Sequence, residues 1–162
     1  MVDVRVKHFS DAGLLESLGH VAVADVDLAA AGDMFDVHGK VLITLMHGEV
    51  TTVVATTTTF KFRRETGTVD MCAATTITSD AVGTMYQWSG DAGAILNGTL
   101  AAGDAPVVGF AHLAGGPGNA VVFGLSGADE TIEAVLDQAG TGVIRWWLHY
   151  IPLESGAYVR AA

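Results

Sequence analysis

Thr131-Ile132-Glu133-Ala134-Val135-Leu136, then Asp137-Gln138-Ala139-Gly140-Thr141, then Gly142-Val143-Ile144-Arg145-Trp146-Trp147-Leu148-His149-Tyr150-Ile151, stopped by Pro152, is the stretch from which the fold is read. Both apolar runs are rich in β-branched and aromatic residues, which suit a pleated, packed surface, and the segment between them has turn chemistry. The expectation is a hairpin that ends where proline removes a ladder donor. Side chains alternate across a strand, so Ile144, Trp146, Leu148 and Tyr150 share one face, and Val143, Arg145, Trp147, His149 and Ile151 share the other. Both faces are substantially apolar. Such a strand is either central in a sandwich with something packed on each side, or it places one face in a contact between subunits.

Working outward, strand signals dominate from Gly39 onward. Lys40 to Met46 and Val50 to Thr59 are rich in β-branched residues, with His47-Gly48-Glu49 read as a bend or bulge in one long ribbon. Phe60-Lys61-Phe62-Arg63-Arg64 alternates, placing Phe60, Phe62 and Arg64 on one face. Val69 to Thr78, Gly83 to Trp88, Ala94 to Leu100, Pro106 to Leu113 and Asn119 to Leu125 follow as short strands spaced by Ser, Asp and Gly clusters. That rhythm predicts an all-β chain, a β-sandwich or jelly-roll-like barrel over 39–162. Residues 1–38 read differently, with a short strand at Val2 to Lys7 and a helical turn from Ser10 to Leu18. Ala-rich sequence carrying Asp25, Asp27, Asp33 and Asp36 follows. This section is taken as a short N-terminal arm or an outer layer of the domain; edge strands are the alternative.

A chain of 162 residues suits one domain. Only 16% of it is charged, against about a quarter in ordinary soluble domains, so apolar surface is expected to meet another chain. The formal charge of −10 disfavours nucleic acid and anionic membranes as partners. Val107 to Leu125 lacks charge, but Gly115-Gly116-Pro117-Gly118-Asn119 breaks it into two strands rather than one membrane helix. The acidic start, Met1-Val2-Asp3-Val4-Arg5, has no signal-peptide core, so synthesis and assembly in the cytoplasm are expected.

Chemistry-bearing motifs are sparse. The six histidines, His8, His20, His38, His47, His112 and His149, show no metal-binding spacing, and no metal or cofactor is expected. Gly124-Leu125-Ser126-Gly127 misses the nucleophile-elbow pattern and reads as a turn. Cys72, the single cysteine, lies in an apolar strand where a thiol is usually a small buried hydrophobe. Asn97-Gly98-Thr99 reads as a turn, and the four aspartates lack an EF-hand frame. Lys61, Arg63 and Arg64 form the only basic cluster, read as a solvated edge that discourages strand pairing or as an electrostatic docking point for an acidic partner. Trp88, Trp146, Trp147 and Tyr150 are the expected core or interface anchors. No catalytic residue is assigned.

Gly39-Lys40-Val41-Leu42-Ile43-Thr44 leading into Gly48-Glu49-Val50-Thr51-Thr52-Val53, then Val69-Asp70-Met71-Cys72-Ala73, then Thr141 to Trp146 and Tyr150-Ile151-Pro152-Leu153-Glu154-Ser155-Gly156-Ala157, resemble small virion proteins of tailed bacteriophages. The resemblance covers 39–162. It implies a capsid decoration (cement) protein: a β-rich, commonly homotrimeric subunit on the outside of the head that clamps neighbouring copies of the major capsid protein. Two other classes stand beside it. One is a tail-associated or receptor-binding module that recognises a host glycan through solvent-exposed Trp88 or Tyr86. The other is a β-barrel enzyme or small-ligand carrier, which requires a closed pocket with convergent polar groups.

Overall fold

A computed structural model describes residues 19–56, 58–66, 68–88, 121–124 and 127–162, together with the backbone of 96–98. Its strands are β1 (His20–Asp27), β2 (Asp33–His38), β3 (Val41–Thr52), β4 (Thr59–Arg64), β5 (Val69–Asp70), β6 (Thr75–Thr76), β7 (Met85–Trp88), β8 (Leu96–Gly98), β9 (Val121–Phe123), β10 (Glu130–Leu136), β11 (Val143–Pro152) and β12 (Tyr158–Ala161). They form two antiparallel sheets of six strands. The first runs β1-β11-β3-β7-β8, with β9 also against β3, and the second runs β12-β2-β10-β4-β5, with β6 also against β4. The all-β sandwich expectation holds. Among the described residues no helix is long and apolar enough to cross a membrane.

The expected hairpin does not form. β10 pairs with β2 and β4 in the second sheet, whereas β11 pairs with β1 and β3 in the first, so the connection crosses the sandwich. Asp137 to Gly142 can span the ~10 Å between packed sheets, because an extended chain covers about 3.3 Å per residue. The crossing is fixed at both ends. The Asp137 carboxylate accepts from the Thr59 amide at 2.7 Å and the Thr58 hydroxyl at 3.0 Å. Leu28 donates its N–H to Gly142 C=O at 3.0 Å and accepts from Gly140 N–H at 2.8 Å. Gly142 itself has φ of +116°, and a Cβ there would stand 2.6 Å from the Val53 carbonyl oxygen, so only glycine fits.

His47-Gly48-Glu49 is not a bend either, since β3 passes straight through it. Gly48 is needed for packing: a Cβ would lie 2.8 Å from the Trp146 indole, which lies over the glycine's backbone. The irregularities of β3 fall elsewhere, where Val143 and Ile144 face Thr52 and Val50, and where His149 and Tyr150 face Leu45 and Ile43. Thr51 and Thr44 are thus the extra residues of two bulges. Each turns its hydroxyl to the opposite strand, Thr51 to Val143 C=O and Thr44 to His149 C=O, both at 3.2 Å.

The division at 38/39 does not follow the fold. His20–Asp27 is the edge strand of the first sheet, and Asp33–His38 lies inside the second between β12 and β10. The alternating aspartates of β1 lie on its solvent side, while Ala22, Ala24 and Val26 are buried, so Ala-rich sequence here is half of a core-facing strand. The strand expected at Val2 to Lys7, the helical turn at Ser10 to Leu18 and the strand at Pro106 to Leu113 lie outside the described residues.

The core is aromatic at its centre. Trp146 is fully buried, stacks on Phe60 at 5.4 Å between centroids and meets Phe62 edge-on at 4.7 Å. Tyr86 stacks behind it at 6.0 Å, and Trp88 meets Phe62 at 5.8 Å. Three rings from the first sheet and two from the second thereby lock the layers together.

Candidate functional site

The alternation read in β11 decides where its aromatic residues go. Trp146 and Tyr150 face the core and are buried, as is Trp88 on β7, whereas Trp147 is half-buried on the opposite face of the first sheet. Of the expected anchors, three are core residues and one is on the surface. Among the described residues nothing packs as a third layer over that outer face.

Strand register assembles the outer face into rows. One row is Val23 on β1, Trp147 on β11, His47 on β3 and Gln87 on β7, and the next is Val21 beside His149 beside Leu45. The His47 imidazole stacks on the Trp147 indole at 4.9 Å with 10° between planes, and on His149 at 5.1 Å. Val21 and Val23 are 51% and 44% exposed, so the strip continues to the sheet edge as open aliphatic surface. Burial, and then the neighbouring His149, hold the His47 imidazole below its ordinary range; burial alone does the same to His149. Both rings are therefore neutral near pH 7 and behave as flat, weakly polar extensions of the tryptophan. An exposed ion pair bounds the strip: Arg145 donates Nε and Nη2 to the two Asp25 carboxylate oxygens at 2.7 and 2.8 Å, which pulls the Asp25 carboxyl down.

The His47–Trp147–His149 cluster was missed by spacing rules, which look along the chain. Half of the signal was present, since Trp147 and His149 share one face of β11, but His47 arrives only through the β3–β11 register. Among the described residues no group of three or more His, Cys, Asp or Glu is placed to hold a metal ion. His38 sits elsewhere, against Asp129 at 2.8 Å and stacked on Tyr158, and His20 stacks on Tyr150. His8 and His112 lie outside the described residues.

The basic cluster is not an edge. β4 is flanked by β10 on one side and by β5 and β6 on the other, and that pairing brings Lys61, Arg63 and Arg64 each to a carboxylate on a neighbouring strand. Lys61 Nζ is 2.6 Å from Asp70, and Arg63 Nε is 2.6 Å from Glu133. Arg64 pairs with the buried Glu130 and lies 5.7 Å over the Phe123 ring. The electrostatic-docking reading thus starts from compensated cations. Cys72 is buried as expected, its Sγ accepting the Phe62 N–H at 3.4 Å, and burial pushes its thiol pKa up. Gly127 N–H donates to Gly124 C=O at 3.1 Å, while Leu125 and Ser126, on which the expected turn falls, lie outside the described residues. Asn97 and Gly98 belong to β8, opposite Tyr86 and Met85, and not to a turn. A cavity of about 210 Å³, bordered by Leu28, Ala30, Leu136 and Gln138, contains no titratable side chain.

Comparison of the chain with protein-family models, with curated proteins and with solved structures finds no match in any of the three.

Proposed function

We propose that this protein is a structural coat component: a capsid decoration (cement) subunit of a tailed bacteriophage that self-associates and clamps major capsid subunits on the outside of the head. The observation that carries the reading is the outer face of the first sheet, where Val21, Val23, Leu45, His47, Trp147 and His149 form a neutral strip with no third layer among the described residues. A shell repeats each contact many times, so modest anchors add through avidity and no single tight pocket is needed. The charge of −10 suits a soluble subunit that docks onto a locally basic protein surface. Assembly in the host cytoplasm and a trimeric state belong to the same proposal.

The glycan-binding alternative loses its stated anchors. Trp88 is 3% and Tyr86 2% exposed, and Tyr86 Oη is held by Asp80 at 2.5 Å, so neither ring is free to stack on a sugar.

Purified protein added to expanded heads that lack it is the test. Saturation at hundreds of copies per head is expected, and Trp147→Asp should abolish binding while the far-ultraviolet circular dichroism of the folded chain is kept. Binding of only a few copies at the tail, or equal binding by the variant, contradicts the proposal.

A further inference from the structure

Among the described residues β1 is the long edge of the first sheet, spanning 8 residues in unbroken register with β11 from His20↔Tyr150 to Asp27↔Val143. The other sheet edges among the described residues are short: 4 residues for β12, 3 each for β8 and β9, and 2 each for β5 and β6. Edges are usually guarded by lysine, proline or a bulge. β1 has none of these in His20-Val21-Ala22-Val23-Ala24-Asp25-Val26-Asp27; its two charges, Asp25 and Asp27, lie at its C-terminal end, and Asp25 is already paired with Arg145.

Its hydrogen-bonding groups are open in a definite phase. Leu28 N–H donates to Gly142 C=O, so counting back by twos the peptide groups of Val26, Ala24, Ala22 and His20 face β11. Those of Val21, Val23 and Asp25 face outward, and no described strand other than β11 pairs with β1. Their side chains lie on the outer face, with the two valines exposed.

We infer that β1 pairs antiparallel with β1 of a second copy, across a two-fold axis at Val23. This rests on the self-association just proposed and names the contact through which it happens. Charge and overlap select the register. A centre at Val23 or at Ala24 gives the longest overlap that still matches outward-facing groups on both strands. A centre at Ala24 brings Asp25 and Asp27 of both copies within the pairing, and sets each Asp25 diagonal to its own copy, where like charges repel. A centre at Val23 sets Val23 against Val23, leaves Asp27 beyond the pairing, and places each Asp25, still held by its own Arg145, opposite Val21. Ala22 then faces Ala24 on the inward side, where small side chains let the sheets meet. The product is one continuous sheet, with His47, Trp147 and Val23 repeated in mirror order across its outer face. In a trimeric coat component this two-fold contact links one trimer to the next, as a layer over a shell requires.

Cysteine cross-linking in the full chain reads the register directly. Cα atoms of a hydrogen-bonded antiparallel pair stand about 5.5 Å apart, within reach of a short bifunctional methanethiosulfonate, so Val23→Cys protein treated with that reagent should give roughly tenfold more covalent dimer than wild type on a non-reducing gel. Buried Cys72 stays silent in that assay. Val21→Cys and Asp25→Cys should each cross-link poorly alone and efficiently when mixed. Val23→Pro, which deletes an outward N–H, should lower the sedimenting mass while the far-ultraviolet circular dichroism is kept. Absence of Val23→Cys dimer, self-linking by Val21→Cys alone, or an unchanged mass for Val23→Pro overturns the inference. Cross-linking without head binding leaves this edge contact standing and removes only the capsid reading; head binding without cross-linking does the reverse.

Discussion

At the residue scale, the pair Gly48 and Trp146 shows how closely the interior is fitted. Trp146→Ala removes the ring that bridges both sheets and should cost about 3–5 kcal/mol of unfolding free energy, measured by urea denaturation. Gly48→Ala drives a methyl into the indole and should cost about 1–3 kcal/mol. In the double variant the two losses should fall well short of their sum, because alanine at 48 then enters the space the indole leaves. His47 and His149 give a pH signature. Their folded pKa values lie below the unfolded value of 6.5, so the unfolded chain takes up protons first as pH falls. The stability they contribute is complete above about pH 6.5 and is lost as pH drops toward their folded values. The urea midpoint should therefore fall between about pH 7.5 and 5 more steeply in wild type than in a His47→Gln/His149→Gln variant. Equal slopes would show that the two rings are as solvated in the native state as in the unfolded one.

At the scale of elements, the sequence was informative about faces and silent about partners. The alternation in β11 separates Trp146 from Trp147 correctly, and that in β4 buries Phe60 and Phe62 while leaving Lys61 outside. The same alternation occurs whether β10 and β11 lie side by side or face each other across the core, so the crossing from Asp137 to Gly142 was read as a hairpin. What decides it is distant: Thr58, Thr59 and Leu28 hold the crossing, and none of them lies near it in sequence. Asp137→Ala should therefore lower the urea midpoint, and because hydrogen bonds from Thr59 and Thr58 pull the Asp137 carboxyl below its ordinary range, wild-type stability from this site is lost only as pH falls through that range. Likewise the cations of Lys61, Arg63 and Arg64 looked free in sequence because Asp70, Glu133 and Glu130 reach them only through strand pairing.

At the scale of the whole molecule, a low charged fraction and a two-sided apolar strand raised the expectation of contact between chains, and the fold gives that expectation an address. One face of β11 closes the core; the other carries Trp147 and His149 on either side of the His47 imidazole, beside two exposed valines. Where the proposed partner would sit was beyond the sequence, since it depends on β1 forming a sheet edge and on β3 bringing His47 alongside. The central claim is that this outer face is covered in the assembled state. Trp147 reports on it cleanly, because Trp88 and Trp146, the other two tryptophans, are already buried. Hydroxyl-radical footprinting of Trp147, on dilute subunits and on assembled particles, is the direct measurement. Strong protection of Trp147 on assembly, with Trp88 and Trp146 unreactive in both states, is the predicted result; a Trp147 oxidised equally in both would contradict the account.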